Sequence, residues 1–146
     1  MKGADMRITR LIIFFISTMI LYFIAMLGLL ISYSYSKGWI LADFESINAK
    51  QAIVLLEEDH NVTLLDVRTQ KEYENRHVKN AIHIPVQKLS SSLDLLKDDK
   101  SKPIVVYCRS GSRSIKASRI LEKNGFIPLN VKGGIIELMQ NDAPLE

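Results

Sequence analysis

Cysteine is nearly absent from this sequence. Cys108 stands alone, so no disulfide can form within the chain, and the thiol serves either as inert packing or as chemistry. A charge excess is missing from most of the chain as well. From Lys37 onward 16 Lys and Arg face 15 Asp and Glu, so the basic pI of about 9.0 comes largely from Lys2, Arg7 and Arg10. That balance is a poor electrostatic footprint for nucleic acid, and no nucleic-acid partner is expected. His60, His77 and His83 lack metal-ligand spacing with one another and with Cys108, so no metal site is expected. Internal repeats and low-complexity segments are also absent, and no second long apolar run exists that would allow a helical hairpin in a membrane.

What the sequence does have begins with one apolar run. No charged residue occurs from Leu11 to Ser36, and Leu11 to Ile31 is almost wholly apolar, long enough to cross a hydrocarbon core of roughly 30 Å as a helix. Bulky Phe, Ile and Leu surround the whole circumference, unlike an amphipathic helix lying on a bilayer. Tyr33, Tyr35 and Trp39 read as an interfacial aromatic belt. Ser32, Ser34 and Ser36 give the small-x-small spacing of a cleaved signal peptide, but the run exceeds the roughly 7 to 15 apolar residues of such a segment. The expectation is a retained single-pass anchor over residues 11–32, embedded in the lipid bilayer, after a tail at 1–10 and before a linker at 33–46. Lys2, Arg7 and Arg10 before the span, against Lys37 just after it, favour a cytoplasmic N-terminus and a domain on the outer side; a cytoplasmic domain is the alternative.

The remaining stretch, residues 47–146, suits one compact domain of about 100 residues. Ile47, Ala49, Ala52, Ile53, Leu55 and Leu56 recur at helical spacing and predict a first helix. Val62–Val67 lacks polar alternation, as a strand buried on both faces does. Thr69 followed by Glu72 is a capping-box signature for a short helix to about Asn75. A brief strand at Ala81–Ile84 stops at Pro85, and Ser90–Leu96 predicts another helix. Pro103 leads into the apolar strand Ile104–Tyr107. Ser114–Asn124 is a helix closed by Gly125, Phe126–Val131 a strand, and Gly133-Gly134 a turn into a last helix, Ile135–Gln140. Strands separated by helices imply an α/β fold with a mainly parallel sheet covered on both faces.

Chemistry concentrates where the apolar strand ends, at Cys108-Arg109-Ser110-Gly111-Ser112-Arg113, immediately before a helix. A thiol at the C-terminal end of a strand lies where open α/β sheets bind ligands. The loop amides and the helix dipole favour negative charge there, and Arg109 and Arg113 add positive charge. Together they favour the thiolate form of Cys108. Gly111 allows the loop to curl so that several amides point inward. Asp66 and Arg68, at the end of the preceding strand, are read as a structural ion pair orienting neighbouring loops, with a catalytic acid or anion ligand as the alternative.

The segment around Cys108 resembles the active-site loop of the rhodanese family. Leu64-Leu65-Asp66-Val67-Arg68, Glu72-Tyr73, His77 and Ala81-Ile82-His83-Ile84-Pro85 resemble that family's first signature segment, and Gly133-Gly134-Ile135 with Pro144 its last. Arg76 and Asn80 stand where the family often has glycine, and Leu138 where it commonly has tryptophan. The resemblance implies a five-stranded parallel sheet and a ping-pong reaction. The Cys108 thiolate would take a sulfane sulfur from a donor such as thiosulfate, become a persulfide, and pass the sulfur to a thiol or cyanide. Residues 109–113 would cradle that sulfur, with no cofactor. Two rival functions remain. One is a cysteine phosphatase or arsenate reductase, in which related folds use the same loop; tyrosine phosphatases place arginine sixth after the cysteine, whereas here the fifth is Arg113 and the sixth is Ser114. The other is a membrane-tethered module that only binds a partner.

Overall fold

A computed structural model of the chain describes residues 2–36, 44–59 and 61–146. Lys37, Trp39 and His60, considered above, lie outside the described residues, as does half of the expected linker, residues 37–43. The chain divides into two compact units, Met1–Ile40 and Leu41–Glu146.

The first unit is a single helix, α1 (Lys2–Ser36). It runs through the expected tail at 1–10 and past residue 32, because no proline occurs before Pro85 and nothing else in the stretch stops a helix. Its bulky side chains point outward, with Phe14 at 62 %, Phe23 at 64 % and Leu29 at 69 % exposure, so they have no protein core to fill. Ser17 Oγ donates to the Phe14 carbonyl at 2.8 Å and Thr18 Oγ1 to that of Phe15 at 2.9 Å, so both hydroxyls are satisfied within the helix. By length and composition α1 can cross a membrane.

The second unit is a five-stranded parallel sheet in the order β1-β5-β4-β2-β3. In chain order its elements are β1 (Glu45–Ile47), α2 (Ala49–Glu58), β2 (Thr63–Asp66), α3 (Gln70–Asn75), β3 (Ile82–His83), β4 (Pro103–Tyr107), α4 (Ser112–Lys123), β5 (Ile127–Val131) and α5 (Gly134–Gln140). Two expectations are corrected. Ile47 belongs not to the first helix but to the edge strand β1, paired with Val131, and that strand begins inside the stretch assigned as linker. Three residues are too few to show a period of two, so Ile47 reads as the first member of the helical pattern that follows. Asn48 separates the elements by capping α2 in a reciprocal box with Gln51. The helix expected at Ser90–Leu96 is instead two 3₁₀ segments, Leu89–Ser91 and Leu93–Asp99. The serines there compete for backbone groups, as Ser91 Oγ does at the Lys88 carbonyl.

The strands sort their side chains with a period of two. Val105 and Tyr107 face the side covered by α2 and α5, packing with Ala49, Ala52, Ile135 and Leu138. Ile104, Val106 and Cys108 face the other side, with Ala117 and Leu121 of α4 and with Leu89 and Leu96. The sulfur therefore lies on the α4 side of the sheet, at the carboxyl end of a central strand. Leu138 is 1 % exposed and fully engaged in the core. Asn80 has φ of 64°, the left-handed region that Asn tolerates better than most residues other than glycine. Arg76, at φ −173°, needs no glycine.

Candidate active site

Strand β4 delivers Cys108, and α4 begins four residues later at Ser112. Between them Gly111 takes φ of 99°, which turns its N–H back to donate to Cys108 Sγ at 3.2 Å. That residue is also the N-cap of α4 and offers no side chain to the first-turn amides. The open amide donors and the dipole of α4 thus face the loop that holds the sulfur. The carbonyl of Gly111 points the other way and is satisfied by Ser114 Oγ at 2.9 Å.

The back of the loop is held by α5. The Ile135 and Ile136 amides donate to the Cys108 and Arg109 carbonyls at 2.8 and 3.3 Å. This approach requires Gly134, where a Cβ would collide with the Cys108 carbonyl oxygen and with the Arg109 carbonyl group. With its carbonyls drawn toward α5, the loop brings the Gly111 amide to the sulfur. The double glycine reads in sequence as a turn and as part of the family resemblance; its place as a backing plate for the Cys108 loop emerges from the packing.

Cys108 is 1 % exposed, while Arg109, Ser110 and Ser112 are at the surface. Arg113, half-buried and expected to add positive charge beside the sulfur, is paired. Its Nη1 and Nη2 each donate at 2.7 Å to the two oxygens of Glu72, a bidentate pair. Glu72 Oε2 also accepts the Thr69 N–H at 3.1 Å and hydroxyl at 2.8 Å, completing the capping box of α3. Arg113 is pushed above its ordinary pKa, first by the hydrogen bond to Glu72, with a smaller contribution from the neighbouring Cys108. The Arg113 bond, followed by those from Thr69, holds the Glu72 carboxyl down at about 2 despite partial burial. Sequence reasoning gave Glu72 a capping role alone; nothing local to it announces a partner 41 residues away.

Asp66 and Arg68 form a separate buried pair. Arg68 Nε reaches both Asp66 oxygens at 3.0 and 2.9 Å, and Nη2 reaches Oδ2 at 2.6 Å and the Arg76 carbonyl at 2.8 Å. The Arg68 carbonyl meets His83 Nε2 at 3.0 Å, and the guanidinium lies 5.6 Å from the centre of the Tyr107 ring. Burial, then Asp66, pushes the Tyr107 phenol up, and its oxygen accepts the Val78 N–H at 3.1 Å. These bonds tie β2, β4 and the 76–83 segment together beneath the loop, which is the geometry of an orienting pair. Tyr73 stacks between His77 and His83, at 3.8 and 4.4 Å. No group of three or more metal-ligating side chains gathers among the described residues.

Comparison with known proteins places this geometry. The rhodanese-like domain profile matches residues 48–140. A tRNA uridine(34) hydroxylase from Hamiltonella defensa is 40 % identical over 97 residues, covering 60 % of this chain and 27 % of that protein. The chain thus spans about a quarter of the length of the curated relatives it matches. Among solved structures, a rhodanese-related protein from Thermoplasma volcanium aligns with a TM-score of 0.63 at 31 % identity, over 70 % of this chain and 98 % of that one. A thiosulfate sulfurtransferase from Pseudomonas aeruginosa aligns with a TM-score of 0.63 at 25 % identity, over 70 % of this chain and 20 % of that one. With its cysteine-bearing loop after a central strand, its parallel sheet and the matching profile, the chain belongs to the rhodanese-like domain family.

Proposed function

We propose that the protein is a sulfurtransferase that carries sulfane sulfur as a persulfide on Cys108. The observation that carries this reading is the Gly111 N–H aimed at Cys108 Sγ at 3.2 Å, at a helix start left open by its own cap. Donors so placed stabilise negative charge on sulfur. In the first half-reaction the Cys108 thiolate attacks the terminal sulfur of a donor such as thiosulfate, and the donor's S–S bond breaks. The bonding pair leaves with sulfite, or with a thiolate when the donor is a thiol persulfide. In the second, a thiol or cyanide takes the terminal sulfur and Cys108 returns as thiolate. Burial of Sγ limits access to the slim sulfur end of a donor. The name of the hydroxylase relatives belongs to proteins more than twice as long, of which the match covers about a quarter; the chemistry proposed is that of the thiol.

Mass spectrometry after incubation with thiosulfate tests the reading. One added sulfur on Cys108, lost on cyanide treatment and absent in Cys108→Ser, is expected. Unmodified Cys108, with wild type and variant behaving alike, would point to a binding module. Turnover of a phosphate ester without sulfur transfer would point to a phosphatase.

Residues 11–32 within α1 are the proposed single-pass anchor in the cell membrane, with the domain on the outer side. The apolar surface of α1 and the basic residues before it support this reading. Digestion of the domain by protease added to intact spheroplasts is expected, and protection until permeabilisation would reverse the orientation.

A further inference from the structure

The two arginines of the loop are not equivalent, and Glu72 is the reason. Arg113 gives both terminal nitrogens to that carboxylate. Arg109 is exposed, and its guanidinium has no ion-pair or hydrogen-bond partner among the described residues. Glu72 is itself fixed by Thr69 at the start of α3, so the carboxylate is held where it offsets the Arg113 charge beside the sulfur. We propose that Glu72 is a specificity-determining residue: by neutralising Arg113 it leaves Arg109 as the uncommitted cation of the loop and biases the site toward singly charged thiol persulfides over dianionic thiosulfate.

The proposal rests on the sulfur-transfer reading and deepens it. When Cys108 thiolate attacks thiosulfate, the S–S bond breaks as the Sγ–S bond forms, and the loop holds a trianionic assembly until sulfite departs. With a thiol persulfide monoanion the same exchange expels a thiolate and the assembly is dianionic. The second free cation that Glu72 takes away therefore matters more for thiosulfate. A purely structural Arg–Glu tie between α3 and α4 would use the same contact. The two roles differ in whether the site responds to the charge of what approaches it.

The test uses the full chain in detergent and reads Cys108 in two ways. One is the ratio of its alkylation rates by anionic iodoacetate and neutral iodoacetamide; the other is KM for thiosulfate and for 2-hydroxyethyl persulfide. Glu72→Gln keeps a capping box, since Gln also serves at that position, and frees the Arg113 charge. It is expected to raise the alkylation ratio and lower KM for thiosulfate, each by roughly threefold to tenfold, with KM for the persulfide within about twofold. Arg109→Gln is expected to shift the ratio the opposite way, and the double variant Glu72→Gln with Arg113→Gln to restore the wild-type ratio. If the wild type takes sulfur from both donors while Glu72→Gln leaves the ratio and both KM values unchanged, the proposal alone is overturned. If the wild type takes sulfur from neither donor, the sulfur-transfer reading is overturned and the proposal with it.

Discussion

Helices α2 and α3 begin with their donors closed off, whereas α4 begins open. Asn48 with Gln51, and Thr69 with Glu72, form reciprocal boxes that satisfy the first amides of their helices. Gly111 occupies the same position at α4 and supplies no side chain. Glycine as a cap costs a helix only a few tenths of a kcal/mol against Asn or Thr, so the start of α4 gives up little stability while its first amides are left without a side-chain partner. The Cys108 sulfur lies beside this start and accepts from the Gly111 amide. Gly133 likewise leaves α5 without a side-chain cap, but the Ile135 and Ile136 amides there are taken by the Cys108 and Arg109 carbonyls; the open end of α4 is where the proposed chemistry sits. One residue connects the two kinds, since Glu72 both caps α3 and pairs with Arg113 in the first turn of α4.

The contrast can be broken most severely from behind the loop. Gly134→Ala puts a methyl into the Cys108 and Arg109 carbonyls and is expected to cost about 3 kcal/mol or more, as a backbone clash in a core does. Thermal unfolding and loss of sulfur transfer check this. Gly111→Ala strains a φ of 99° and is expected to cost about 1 to 2 kcal/mol. Displacing its amide should also lower the rate of persulfide formation on the order of 10- to 100-fold. Chemical denaturation and stopped-flow kinetics separate the two effects.

Closing ends behave differently. Asn48→Ala removes the α2 cap and is expected to lower stability by about 1 kcal/mol while sulfur transfer stays at the wild-type rate, because α2 covers the face opposite Cys108. The smallest effect concerns acid. Glu72 titrates at about 2 in the fold against 4.5 for a free glutamate. Its depressed value means that the pair's stabilisation is present above pH 4.5 and is lost as pH falls toward 2. For a partly exposed pair this is worth about 1 kcal/mol. Acid denaturation of wild type should therefore contain a component in that window that Glu72→Gln lacks.

The sequence made the central strands and α4 legible because β2 and β4 are continuous apolar runs and α4 carries a clean helical period ending at Gly125. The loop was legible for a related reason: Arg, Ser and Gly directly after Ile104-Val105-Val106-Tyr107 have no place in a core. Strand β1 was not, since three edge residues carry no period and are defined only by pairing with β5. The 3₁₀ path after Leu89 escaped because Leu89 and Leu96 are both fully buried at a spacing that an α-helix would also satisfy. Glu72 was seen for its short-range partner Thr69 and missed for its long-range one, Arg113. Contacts between distant segments have no local signature.

Alkylation of Cys108 by iodoacetamide at neutral pH tests the open helix end most directly. A rate clearly above that of a small free thiol under the same conditions, reduced in Gly111→Ala, is expected if the loop donors hold sulfur in its anionic form. A rate equal to or below the free thiol, unchanged in that variant, would contradict the assignment of this loop as an anion-stabilising site.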